Sequence, residues 1–136
     1  MAPHMRSLYQ ALANSPDLVA LLGGVRIYDD APQAVSFPFI TIGQSVVRDW
    51  STGTEDGSEH SLTLHVWSRT GSKKQMLQIV EAIRAVLHDK PLALEDHFLI
   101  NLRHEFSEAR LEHEGDTYHG VVRYRAVTEP AQQAAA

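Results

Sequence analysis

Eight histidines and no cysteine make imidazole the first place to look for chemistry in this 136-residue chain. Two of them, His60 and His65, fall in the stretch DGSEHSLTLHVW, residues 56–67. An imidazole can hold a metal ion or move a proton near neutral pH. One ion shared by both rings needs them on one side of the backbone. Positions 60 and 65 differ by an odd number, so a regular strand sends them to opposite faces. His97 and His104 fail by the same parity. His113 and His119 flank a turn at Gly115 and can approach each other, but no motif supplies a third ligand.

Other chemistry is equally thin. Without cysteine there is no disulfide, no thiolate zinc site and no Cys nucleophile. Neither a G-x-S-x-G elbow nor an H-E-x-x-H pair occurs. Thr70-Gly71-Ser72-Lys73-Lys74 sits where a helix begins, yet it lacks the G-x-x-x-x-G-K-[ST] spacing of a phosphate loop, and helix capping accounts for it. Glu112, Glu114 and Asp116 form an acidic cluster of the kind that solvated hairpin turns carry. The expectation is no enzyme, no cofactor and no native metal.

The elements that would position these residues follow from hydrophobic periodicity. Met5–Asn14 places Leu8, Ala11 and Leu12 on one helical face. Ser15-Pro16 is an N-cap followed by a proline at the first helical position, and Gly23-Gly24 stops the second short helix. A short strand at Val25–Tyr28 and a proline-punctuated loop lead to a strand at Phe39–Val47, with Ile40, Ile42 and Val46 expected on one side. Asp49–Glu59, DWSTGTEDGSE, reads as a long hairpin loop. His60–Ser68 then alternates Leu62, Leu64 and Val66 against Thr63, His65 and Trp67.

Ser72–Lys90 is the clearest helix, with a capping-box pattern at Ser72 and Gln75 and a stripe of Met76, Ile79, Val80, Ile83, Val86 and Leu87. A strand at Phe98–His104 is expected to turn Phe98, Ile100 and Leu102 one way, and Tyr118–Val127 is the last strand. The order predicts an α+β domain: a largely antiparallel sheet of four to five strands packed on one long amphipathic helix, with short N-terminal helices. The helix should cover Leu62, Leu64, Val66, Ile100 and Leu102. The domain is expected over residues 1–128, with 129–136, EPAQQAAA, a flexible tail.

Composition bounds the role. A formal net charge of −5 argues against general affinity for nucleic acid, and no apolar run is long enough to cross a bilayer. The N-terminal residues lack the apolar stretch of a signal peptide, so the reading is a soluble intracellular protein. What stands out is surface character. The second sheet face is expected to carry Thr63, His65 and Trp67, then Asn101 and Arg103, then Arg123 and Arg125. Trp and Arg are enriched at interface hot spots. The loop adds Asp49, Trp50, Thr54, Glu55, Asp56 and Glu59, and loops of this length in compact domains are commonly functional.

Four segments carry a resemblance. RDWSTGTEDGSEHSLTLHVWSR at 48–69, GGVRIYDDAP at 23–32, KPLAL at 90–94 and HGVVRYRAVTE at 119–129 run in the order found in one bacterial and phage family. The chain resembles, from about Leu8 to Glu129, the tail terminator or tail completion proteins of long-tailed phages and gene transfer agents, once known only as a domain of unknown function. The resemblance implies an antiparallel sheet packed on a helix. It also implies a ring of six subunits that caps the tail tube, ends its polymerisation and presents a surface to the neck. The implied partners are other copies of the chain, the major tail tube protein and a neck or stopper protein, with DNA passing through the lumen without specific binding. The implied location is the cytoplasm during assembly and then the head–tail junction of the particle. The resemblance also places the Asp49–Glu59 loop against a neighbouring subunit or ring. Another head–tail connector, a stopper or head-completion protein, is the sibling reading. A small enzyme or ligand-binding domain is the reading from a different class.

Overall fold

The computed structural model describes residues 3–69, 73–94, 97–112 and 116–130. Several expectations fall outside them: the Ser72 cap, the Thr70-Gly71-Ser72 stretch, His113, the Glu114-Gly115 turn and residues 131–136.

Helix α1 spans Pro3–Ala13 and α2 spans Pro16–Leu22. The Ser15 side chain accepts a hydrogen bond from the Leu18 amide at 3.3 Å, which satisfies one of the amide groups a helix start leaves open. Gly23, at φ 79°, ends α2 in the left-handed conformation that a side chain disfavours, and the Gly24 amide reaches back to the Val19 carbonyl at 3.0 Å. Strand β1, Ile27–Tyr28, runs parallel to β2, Phe39–Asp49. Strand β3 is Ser58–Ser68, helix α3 Lys73–Leu87, strand β4 His97–Leu111 and strand β5 Tyr118–Pro130. The sheet order is β1-β2-β3-β5-β4, antiparallel everywhere except the β1–β2 pair. The α+β expectation therefore holds.

One face of this sheet is buried under the helices. Met76, Ile79, Ile83 and Leu87 of α3 are fully buried, as are Leu64 and Val66 of β3 and Val122 of β5. Removing four such aliphatic side chains from water favours the fold by about 6–12 kcal/mol before the entropy of ordering them is subtracted. Leu8, Leu12, Leu18 and Leu22 extend the same core under α1 and α2.

Three expectations about orientation and extent change, and bulges explain two of them. In β2, Ile42 pairs with Leu64 but Ser45 pairs with Leu62, so Gly43 and Gln44 together oppose one residue of β3. The extra residue inverts the alternation. Ser45 thus takes the helix side, and Val46 is on the other face and 47% exposed. A side chain at 43 would sit 3.0 Å from the His65 ring, which is why glycine stands at the kink. In β4, a shift between Leu99 and Asn101 leaves Ile100 unpaired. Leu99 and Leu102 then pack against the core, while Phe98 and Ile100 are 58% and 51% exposed. The same shift defeats the parity rule for His97 and His104, whose partners Pro130 and Tyr124 lie on one side of β5. What separates those two rings is distance along the strand, roughly 20 Å.

The third change is extent. Strand β4 continues past His104 to Leu111, because Phe106–Leu111 pair with Tyr118–Arg123. Being at the sheet edge, that half has little apolar pattern to announce it. The hairpin loop is likewise shorter than expected: Asp49 pairs with Ser58 and Arg48 with Glu59, leaving Trp50–Gly57 as the connection. Strand β5 ends at Pro130 rather than at Val127.

Candidate assembly interface

The strand register decides which side chains share the face opposite α3. Thr63 pairs with Arg123, His65 with Val121, and Arg103 with Arg125, all on the side away from the buried Leu62, Leu64 and Val66. Trp67 and Asn101 share this face by the same alternation. All seven residues expected on the second face are therefore together on it.

At the β2–β3 end of this face, three of the singled-out residues meet. Arg125 Nε and Nη2 both donate to Glu59 Oε2, at 2.9 and 2.8 Å. Arg48 Nη1 lies 3.5 Å from Glu59 Oε1. The Arg125 guanidinium also lies over the Trp50 ring, 4.9 Å from its centroid. One carboxylate thus serves two guanidinium groups, and a planar cation rests against the indole face. Because both side chains of the Glu59–Arg125 pair keep some solvent contact, the pair is worth about 1 kcal/mol. Arg123 covers the Phe106 ring at 5.6 Å, and Arg103 reaches Asp89 at 3.9 Å.

The loop beyond this cluster has its own hydrogen bonds. The Trp50 amide donates to the Gly57 carbonyl at 2.9 Å, and the Thr52 amide to the Glu55 carbonyl at 2.8 Å. The Ser51 hydroxyl accepts from the Gly57 amide at 3.1 Å, and Asp49 Oδ1 accepts from the Ser51 amide at 3.0 Å. Bonds from Ser51 hold the Asp49 carboxyl below its usual range. Asp49 itself points to the helix side of the sheet by its register, away from Trp50 and Glu59. Thr54, Glu55 and Asp56 form the exposed tip.

A second cluster lies at the opposite end of β3, and strand-by-strand reading missed its centre, His119. Here His65 Nδ1 is 2.8 Å from His119 Nε2, and His119 Nδ1 is 3.0 Å from Glu112 Oε1. With Glu112 accepting the Nδ1 proton of His119, its Nε2 accepts from His65, fixing both tautomers for neutral rings. Burial lowers the pKa of His65, and the neighbouring His119 lowers it further. The rings also stack: Trp67 lies 3.9 Å from His119 at an interplanar angle of 4°, and Phe39 lies 6.1 Å beyond Trp67. Arg69 closes the column over Phe37 at 4.0 Å, and Trp67 Nε1 donates to Thr41 Oγ1 at 3.3 Å. The cluster is made by the pairing of Trp67 with His119, 52 positions apart on strands that are not consecutive, which the alternation within either strand does not announce.

The two imidazoles bond to each other and to the Glu112 carboxylate, an arrangement with proton-holding and stacking capacity. Among the described residues, no group of three His, Cys, Asp or Glu side chains is placed to hold a metal ion. Among the described residues, too, no helix is long and apolar enough to cross a membrane. The surface with most character is a broad face of arginines and stacked aromatics beside a projecting acidic loop, a composition suited to contact with another protein.

One solved structure, a chain in the virion of a native gene transfer agent (GTA) particle, has a TM-score of 0.82 at 24% sequence identity. The likeness covers 90% of this chain and 91% of that one, and it establishes the fold. A search of curated protein sequences finds no match. The family model for tail completion protein gp17 matches residues 6–129, from α1 through nearly all of β5. The match takes in β1 to β4, α2 and α3 whole, most of α1 and of β5, and both surface clusters, and this chain belongs to the tail completion protein family.

Proposed function

We propose that this protein is a structural component that completes a phage-type tail. Copies assemble as a ring, six to a turn, on the end of a finished tail tube. The ring ends addition of tube subunits and offers its other side to a neck or stopper protein, so that the tail joins the head. The observation that carries this reading is the family match over residues 6–129. The face of arginines and stacked aromatics supports it, since a ring builder needs extended complementary surfaces rather than a pocket. The implied partners are other copies of the chain, the tube protein and the neck protein. The formal charge of −5 suits a lumen that lets DNA pass without holding it. On this reading the protein carries no catalytic step.

Labelling tests the position directly. An antibody against this chain, viewed on intact particles by electron microscopy, should mark the head-proximal end of the tail and nowhere else. Label along the whole tube, or at the distal tip, would contradict the proposal.

A further inference from the structure

The face opposite α3 carries two concavities of opposite charge. The first is a groove lined by Val46, Arg48, Ser61, Thr63, His65 and Arg123. Two of these are guanidinium bearers, and among the described residues no carboxylate lines the groove. Glu59, just outside it, is shared between Arg48 and Arg125, so one negative charge faces two positive ones. The second is a notch where the hairpin tip, Thr52–Asp56, leans over Phe98, Glu129 and Pro130. Its charged lining is Glu55, Asp56 and Glu129, with no lysine or arginine among the described residues that line it. No residue is common to the two linings.

We infer that the hairpin tip of one subunit, through Glu55 and Asp56, docks onto the Arg48–Arg123 groove of the next copy. This rests on the ring proposed above and names the contact that builds it. Two features select a second copy of this chain as the occupant. The groove is cationic and the tip anionic, so the two surfaces of one protein complement each other. They are also different patches, which makes the contact head-to-tail, the kind that closes into a ring rather than stopping at a two-fold dimer. The tip is the exposed turn of an internally hydrogen-bonded hairpin, so little ordering is needed when it docks. Arg123 rests on the Phe106 ring, which holds its guanidinium in place for an incoming carboxylate.

The absence of cysteine allows a clean test. Copies carrying Asp56→Cys are mixed with copies carrying Arg123→Cys and treated with a short bismaleimide. The same treatment is applied to particles from cells expressing both. The expected product joins position 56 of one copy to position 123 of another, at least about tenfold above the 56–56 and 123–123 products. Absence of the 56–123 product in both preparations, or equal yields of the three, would overturn the inference.

Charge reversal supplies a second arm that does not depend on cross-linking. Copies with Glu55→Arg and Asp56→Arg, or with Arg48→Glu and Arg123→Glu, should each lose complementation of a deletion strain by at least about tenfold. Co-expression of the two should restore it, because alternating copies present opposite charges at every junction. Circular dichroism of each variant checks that it is folded. Failure to restore, with both variants folded, counts against the contact. If the antibody marks the tail end but the 56–123 product is missing, the proposed function stands and this contact alone falls. If the product forms but the tail end is unmarked, the reverse holds.

Discussion

Gly120 is where the packing of helix on sheet can be put to a quantitative test. It pairs with Val66 and faces α3, and a Cβ added there would lie 2.6 Å from Met76 Sδ and 3.4 Å from Met76 Cε. Ordinary non-bonded contact needs about 3.5–4.0 Å, so Gly120→Ala forces an overlap of roughly 1 Å. Met76 is fully buried, and its thioether has no solvent to swing into. The overlap should cost about 1–3 kcal/mol, reduced at the low end because methionine adapts and because alanine suits a strand better than glycine. Met76→Ala alone leaves a cavity and should cost about 2–5 kcal/mol. In the double variant the new methyl enters the space the sulfur left. Its loss should therefore be no larger than that of Met76→Ala, a coupling of about 1–3 kcal/mol in favour of the pair. Urea unfolding followed by far-UV circular dichroism measures all four proteins. Additivity within about 0.5 kcal/mol would refute the described contact between β5 and α3.

Further expectations follow from the same structure. Burial lowers the pKa of both His65 and His104 from 6.5, so below that value the unfolded chain binds protons the folded chain refuses. Stability should thus be full above about pH 7 and fall as pH drops through 6.5 toward the lowered values, by at most about 1.4 kcal/mol per pH unit for each ring. His65→Gln should make denaturation midpoints less sensitive to pH over that window, and an unchanged slope would count against a neutral, half-buried His65. Replacing Trp50–Gly57 with an Asn-Gly turn between Asp49 and Ser58 should keep the β2–β3 register and the folded monomer while abolishing tail completion. Loss of soluble, folded protein would show the loop to be structural instead. Leu64→Ala, at a fully buried position between β2 and β5, should cost about 2–5 kcal/mol in urea unfolding, and a loss under 1 kcal/mol would contradict the core described here.

How far the residues themselves announce this architecture varies by element. The α3 stripe and the alternation of Leu62, Leu64 and Val66 are legible because one wet side and one dry side leave a clean period. Ser15-Pro16 and Gly23-Gly24 mark their helix ends because capping chemistry is local. The bulges at Gly43–Gln44 and Ile100 are not legible, since one inserted residue inverts the pattern without altering its composition. The outer half of β4 hides for another reason: an edge strand with both faces near water shows no hydrophobic alternation.

The candidate interface divides in the same way. Placement of Thr63, His65, Trp67, Asn101, Arg103, Arg123 and Arg125 on one face needs only alternation within each strand, and it was readable. Contacts between strands distant in sequence were not, because they depend on β5 lying beside β3. The Glu59–Arg125 pair joins residues 66 apart, and the His65–His119 bond joins residues 54 apart. Even the parity rule that separated His60 from His65 was sound only because β3 is unbroken. In the structure His60 is buried against Thr128, 2.9 Å from its hydroxyl, while His65 takes the opposite face beside His119.

Deletion of the gene, with electron microscopy of the particles that form, tests the central claim most directly. Without a protein to cap the tube, tails should grow to a broad range of lengths and stay unattached beside filled heads. Tails of uniform length joined to filled heads would contradict the account outright, and uniform tails lying free would assign the chain to the neck instead.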